Sequence, residues 1–163
     1  MRILVTGSES FIGKTLISQL QTTGHEIIGF DSLEPTNPTY EFHQIDIRNP
    51  EINKLIPRNT DVLIHLAALS RDSDCKNKAI ECFDVNVMGT LNLIKAAQLQ
   101  NVKQFIFASS EWVYDKFIDS EEKNEDSEIN IKNHNSEYAL SKLITESNLH
   151  QQYNNGFCNV TIL

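Results

Sequence analysis

Short apolar, β-branched runs alternate along the chain with stretches of helical period. The runs lie at residues 2–6, 26–30, 42–46, 61–66, 104–108 and 158–163, and the helical stretches at 11–22, 51–56, 78–100 and 136–153. Strand, helix, strand in repetition predicts an α/β fold: a doubly wound parallel sheet with helices on both faces. In the longest helical stretch, Ile80, Phe83, Val87, Leu91 and Ile94 form one apolar stripe, while Met88 and Leu99 lie off it. A helix apolar on two sides has two neighbours, the sheet and something else. No internal repeat and no linker divides the chain, so residues 1–163 are expected to form a single domain. Residues 115–135 are polar and acidic and read as a long surface loop.

Charge and composition narrow the function classes. The formal net charge is −8. Nucleic acids and anionic membranes both need clustered Lys and Arg, so neither is an expected partner. No apolar run approaches the ~20 residues of a membrane span. The first residues carry no signal-peptide pattern. The expectation is a soluble, cytoplasmic protein. Its cysteines, Cys75, Cys82 and Cys158, are odd in number and form no C-x-x-C. They are expected as reduced, buried or half-buried thiols, with no metal site.

The stretch Val5-Thr6-Gly7-Ser8-Glu9-Ser10-Phe11-Ile12-Gly13-Lys14-Thr15 carries the first chemistry. Read as a Walker loop, it needs a glycine at position 8, and Gly7 stands one place too early. Read as a dinucleotide loop, Gly-x-x-Gly-x-x-Gly between strand and helix, it fits at Gly7 and Gly13, with Ser10 in place of the middle glycine. In such a loop the glycines allow a tight turn and close approach of backbone to a pyrophosphate. The helix N-terminus then faces the phosphates. The dinucleotide reading also requires an acidic residue at the end of the second strand, about 20 residues on. Asp31 stands there, 18 residues past Gly13. A carboxylate at that place accepts the ribose hydroxyls and repels a 2′-phosphate, so NAD is favoured over NADP. The Walker reading makes no such demand and loses ground.

Five further segments carry a family resemblance. Asp46-Ile47-Arg48 follows the third strand. Asp61 to Ala68 runs DVLIHLAA. Asn86-Val87-Met88-Gly89-Thr90 lies in the long helix. Phe105 to Tyr114 runs FIFASSEWVY, and Tyr138 with Lys142 forms Y-x-x-x-K. With the first loop, these resemble the extended short-chain dehydrogenase/reductase family, the NAD-dependent nucleotide-sugar epimerases and dehydratases. The resemblance runs over essentially the whole chain. It implies a Rossmann-type domain that binds NAD through Gly7, Ser10, Phe11, Ile12, Gly13, Asp31, Asp46, Ile47, Leu66, Ala67, Ala68, Asn86, Tyr138 and Lys142. It also implies a nucleotide-sugar substrate.

Tyr138 and Lys142 are four apart on an expected helix and share a face. By the resemblance Tyr138 is the acid/base, and Lys142 lowers its pKa and holds the nicotinamide ribose. A free phenol titrates near 10, so the base needs that ammonium and the positive nicotinamide. Ser110 aligns with the residue that hydrogen-bonds the reacting hydroxyl. Glu111 fits the acid of the dehydratase branch, but Trp112 stands where that branch has a second carboxylate. Epimerase or simple oxidoreductase is therefore preferred, with Ser110, Glu111 and Trp112 lining the substrate cleft. His65 reads as a core histidine at a strand end, and His134 is assigned no role. Family members continue beyond the sixth strand into a substrate-binding region, so the expectation here is a C-terminally truncated domain. Three readings follow: an enzyme whose substrate half comes from a separate chain, an NAD-holding module without turnover, or a relic. The outer faces of helices 78–100 and 136–153 resemble the family's dimer interface, so a homodimer is expected.

Overall fold

The computed structural model describes residues 1–35, 37–114 and 122–163. Part of the expected acidic loop, residues 115–121, lies outside the described residues. Six strands form one parallel sheet: β1 (Arg2–Thr6), β2 (Glu26–Asp31), β3 (Glu41–Gln44), β4 (Val62–His65), β5 (Gln104–Phe107) and β6 (Asn159–Ile162). Their spatial order is β3-β2-β1-β4-β5-β6. The chain starts at mid-sheet, winds outward to β3, and returns to pair β4 with β1. That reversal opens a crevice at the carboxyl ends of β1 and β4, where doubly wound sheets bind ligands.

The register explains the core. Leu4 stands opposite Ile28 and Leu63, and Leu63 opposite Phe105. These four make one buried row across the sheet. The long helices α4 (Thr90–Leu99) and α5 (Glu137–Asn154) cover that face with Leu93, Ala97 and Leu149. The opposite face carries Ile3, Val5, Ile27 and Val62, covered by Ile17 of α1 (Phe11–Thr22). Parallel strands buried on both faces read as continuous apolar runs, which is why the four central strands were legible.

The expected helix over 78–100 is interrupted. The helix α3 (Ala79–Phe83) leads into a π-helical turn over Asp84–Gly89 and then into α4. Each π turn holds an extra residue, so the apolar stripe changes phase there. Ile80, expected at the head of the stripe, is 90% exposed, whereas Cys82, Asn86, Val87, Leu93 and Ile94 are buried. The expected helix over 51–56 is a 3₁₀ turn, Pro50–Lys54, capped by Asn49. A short helix, α2 (Asp72–Cys75), had no counterpart in the pattern.

The cysteine expectation is also corrected. Cys75 and Cys82 form a disulfide with a Cα–Cα distance of 5.1 Å. Between α2 and α3 the chain reverses through Asn77, whose φ is 61°. The two short helices fold back on each other and turn both sulfurs inward. The seven-residue spacing bears no motif, so the pairing was not legible. Cys158 is free and half-buried.

Candidate functional site

The first loop crosses the loop that follows β4 at backbone contact. Gly7 has φ 71°, and a Cβ there would meet Ala67 N at 2.8 Å and the Leu66 carbonyl carbon at 2.9 Å. Its N–H donates to Phe30 O at 2.8 Å, which ties the loop to β2. Gly13 lies behind the loop rather than in the crevice. A Cβ on Gly13 would meet Gly7 O at 2.2 Å, so its role is close packing of α1 on the loop. Ser10 is the N-cap of α1, with φ −68° and its hydroxyl accepting from Gly13 N at 3.0 Å. At negative φ a side chain costs nothing, so the middle glycine of the motif is not needed for this backbone. The first two helical residues, Phe11 and Ile12, have no intrahelical acceptor for their N–H groups.

Lys14 does not line the crevice. Its ammonium pairs with Glu9 at 3.3 Å. The other Glu9 oxygen accepts from Tyr40 Oη at 2.5 Å. Burial, then the bond to Glu9, pushes the Tyr40 phenol up to about 12. The Walker reading of the loop is therefore set aside. Asp31 ends β2 at the crevice, its carboxylate accepting from Glu9 N and Leu33 N, each at 2.9 Å. Asp46 is bound by Arg48, which also reaches Asp84 at 2.8 Å. The Arg48 guanidinium holds the Asp46 carboxyl below its ordinary range.

A cleft of about 780 Å3 joins these pieces. Of the expected cofactor residues, Gly7, Ser10, Phe11, Ile12, Asp31, Asp46, Ile47, Leu66, Ala67, Ala68, Tyr138 and Lys142 line it. Gly13 and Asn86 do not. Asn86 is buried beneath the cleft, where its amide oxygen accepts from Leu69 N at 2.8 Å. Its amide nitrogen donates to Leu69 O at 3.1 Å and Ser141 Oγ at 2.9 Å. It thus ties the cleft wall to α5. Ser110, Glu111 and Trp112 also stand outside the lining. They lie at the 3₁₀ turn Glu111–Tyr114, with the Ser110 hydroxyl donating to Glu111 at 3.2 Å and accepting from Trp112 N at 3.3 Å.

His65 sits in the core, as its strand-end position implied. Its bonding fixes its tautomer. The Thr90 hydroxyl donates to Asn86 O at 2.6 Å, so it can only accept from His65 Nε2–H at 2.8 Å. Nδ1 then accepts from Thr6 Oγ1 at 2.7 Å, and Thr6 Oγ1 accepts from Ala67 N at 3.3 Å. This directed chain, from Ala67 through Thr6, His65 and Thr90 to Asn86, needs a neutral ring.

Tyr138 and Lys142 share the inner face of α5. Lys142 Nζ donates to Ala108 O at 2.7 Å and lies 4.6 Å from the Phe107 ring centroid. Burial lowers its pKa to about 8, against the opposing pull of Glu146. Tyr138 is buried on the same face. Its pKa is raised, chiefly by burial, while the nearby Ser110 hydroxyl opposes the rise and Glu111 adds to it. The Lys142 ammonium, 6.0 Å from the Tyr138 ring centroid and committed to Ala108, does not reverse this.

The model of the NAD dependent epimerase/dehydratase family matches residues 3–163. The chain belongs to that family. It is 34% identical over 128 residues to the UDP-glucose 4-epimerase of Klebsiella pneumoniae, covering 70% of this chain and 92% of that one. The UDP-glucose 4-epimerase of Thermus thermophilus, solved in complex with NAD, matches with a TM-score of 0.90 at 26% identity, over 99% of this chain and 54% of that one. The dTDP-glucose 4,6-dehydratase of Streptomyces venezuelae, solved with NAD, matches at 0.88 and 28%, over 99% and 54%. The chain spans about half the length of these solved structures. The family likeness embraces both epimerases and dehydratases.

Several residues of the site were missed by sequence reasoning. Glu9 and Tyr40 are 31 positions apart and meet only through the sheet. Asp84 meets Arg48 from 36 positions away. Ser109 donates to Glu146, which stands four residues past Lys142. That helical spacing could have been read, because it continues the face of Tyr138 and Lys142.

The buried His65 ties stability to pH. Burial first, and then Lys142, pushes its pKa down to about 3, whereas an unfolded histidine titrates near 6.5. Between those values the unfolded chain binds the extra proton. The contribution is complete above about pH 6.5 and is lost as pH falls toward 3. Urea denaturation at pH 7 and pH 5 tests this. The wild type is expected to lose up to ~1.4 kcal/mol per pH unit more than His65→Asn. Equal slopes in the two proteins would remove His65 from the account.

Proposed function

We propose that this chain binds NAD in the cleft and belongs to a nucleotide-sugar oxidoreductase of the epimerase/dehydratase type. The carrying observation is the continuity of the lining. One cleft runs from Asp31, past Gly7 and the start of α1, to Tyr138 and Lys142. The residues present fit the cofactor. Asp31 is oriented by two backbone N–H groups to receive ribose hydroxyls. The free N–H groups of Phe11 and Ile12 suit a pyrophosphate. Small Ala67 and Ala68 leave room beside them. NAD, when bound, supplies the acceptor and donor of hydride.

The chain's own residues handle the proton. Tyr138 takes a proton from the substrate hydroxyl and returns it, and Ser110 orients that hydroxyl. The raised pKa of Tyr138 keeps the phenol protonated until a positive charge enters the cleft. Lys142 holds the turn after β5 and lends part of that charge. The proposed assembly is a homodimer through the outer sides of α4 and α5. These helices lie side by side, Gln98 donating to Gln152 at 3.1 Å. Leu99 and Ile144 are exposed along them, and Met88 in the π turn just before α4.

Calorimetric titration with NAD, NADP and ADP-ribose is the first test. Roughly micromolar affinity is expected for NAD and ADP-ribose, with NADP at least tenfold weaker, a gap of about 1.4 kcal/mol. Asp31→Asn should narrow that gap, and equal binding of NAD and NADP by the wild type would refute the role of Asp31. Incubation with NAD and UDP- or dTDP-hexoses, monitored for sugar conversion, tests turnover. Tyr138→Phe should cut any conversion 10²–10⁴-fold while leaving NAD affinity within a fewfold; unchanged conversion would exclude Tyr138 as the proton carrier. Sedimentation should show a dimer that Ile144→Glu converts to monomer, and a monomeric wild type would rule the interface out.

A further inference from the structure

Two side chains of α5, one helical turn apart, hold the turn that follows β5. Lys142 donates to Ala108 O at 2.7 Å, and Glu146 accepts from the Ser109 hydroxyl. Residues four apart stack on one face of a helix. Here their partners are consecutive residues of the facing strand end. The backbone fixes the same two residues from the sides. Ala108 N donates to His65 O at 3.2 Å, and Ser109 N donates to Leu163 O at 2.7 Å. Ser110 follows at once, and its hydroxyl is the polar group that opposes the burial of the Tyr138 phenol. The placing of Ser109 therefore decides where Ser110 stands.

The charges support the same arrangement. Lys142 is 5% exposed, and its acceptor is a neutral carbonyl. A buried ammonium with only that acceptor is costly unless an opposite charge lies near. From α5 it is faced by Tyr138 and Glu146, from β4 by the neutral His65, and from β5 by the Phe107 ring. Glu146 is the group among them that favours the ammonium.

We propose that Glu146 is a positioning residue of this site, clamping Ser109 beside Lys142 and so setting Ser110 against Tyr138. The assignment rests on the cofactor and proton-carrier reading above and adds a residue to it. Its charge and its hydrogen bond are separable. Glu146→Gln still accepts from Ser109 but carries no charge. Glu146→Ala and Ser109→Ala lose the clamp.

Two resonances of the whole chain, neither needing cofactor, test it. The first is the Lys142 side chain in 13C,15N-lysine-labelled protein, identified by its loss in Lys142→Arg. Its titration midpoint should fall by about one pH unit in Glu146→Gln and stay near wild type in Ser109→Ala. The second is the Tyr138 13Cζ signal. It should move in Glu146→Ala and Ser109→Ala and return to its wild-type position in Glu146→Gln. An unmoved Lys142 midpoint in Glu146→Gln overturns the assignment, and so does an unmoved Tyr138 signal in Ser109→Ala. If Glu146→Ala does not fold, the other two variants decide the matter. Failure of the wild type to bind NAD would count against the cofactor reading alone, because both resonances are read without it.

Discussion

Everything at the cleft depends on one backbone crossing. Gly7 passes over Leu66 and Ala67 with no room for a single methyl group between the loops. That approach is possible because β1 and β4 are adjacent, and they are adjacent because the chain reverses its direction of winding at mid-sheet. The crossing brings the N-terminus of α1 and the wall carrying Ala67 and Ala68 to one place. It is braced from below by the directed hydrogen bonds through Thr6, His65 and Thr90. A buried polar chain of this kind rigidifies only if every member is satisfied, and here each hydroxyl both donates and accepts.

The second organising feature is the way charge is committed. Arg48 is bound between Asp46 and Asp84, Lys14 is paired with Glu9, and Lys142 is turned onto a carbonyl. Asp31 has its oxygens on backbone N–H groups. The cleft therefore has preset electrostatics, and a ligand entering it meets few groups that must first be released. Preorganisation of this sort spares the reordering that otherwise accompanies binding.

The fold was legible because a doubly wound sheet writes its strands as continuous apolar runs. All six runs became strands, with ends shifted by a residue or two. The candidate site was legible where motif spacing marks it. Gly7, Asp31 and the Tyr138–Lys142 pair fall at one cleft. It was obscure where local rules met tertiary contacts. Ile80 continued the helical period yet faces outward, because the π turn consumes an extra residue. Asn86 matched a family motif yet bonds inward to Leu69 and Ser141. Ser10 broke a motif whose glycine this backbone does not require. Burial raises the Tyr138 pKa, which the helical spacing of Tyr138 and Lys142 did not indicate. The cysteine pair gave no sign, since only the reversal at Asn77 brings the sulfurs together.

The π turn has a further meaning for the architecture. An α-helix advances by about 100° per residue, so one added residue rotates everything before it relative to everything after. The rod from Ala79 to Leu99 therefore behaves as two blades set at different pitch on one shaft. The later blade is keyed to the sheet through Leu93 and Ala97. The earlier one is keyed to the cystine and to Tyr138. Between them Gly89 lies against the Ile47 side chain, which a Cβ there would have to displace. The two blades therefore pack against different partners, and the bond from the Thr90 hydroxyl to Asn86 O is the rivet that joins them across the turn.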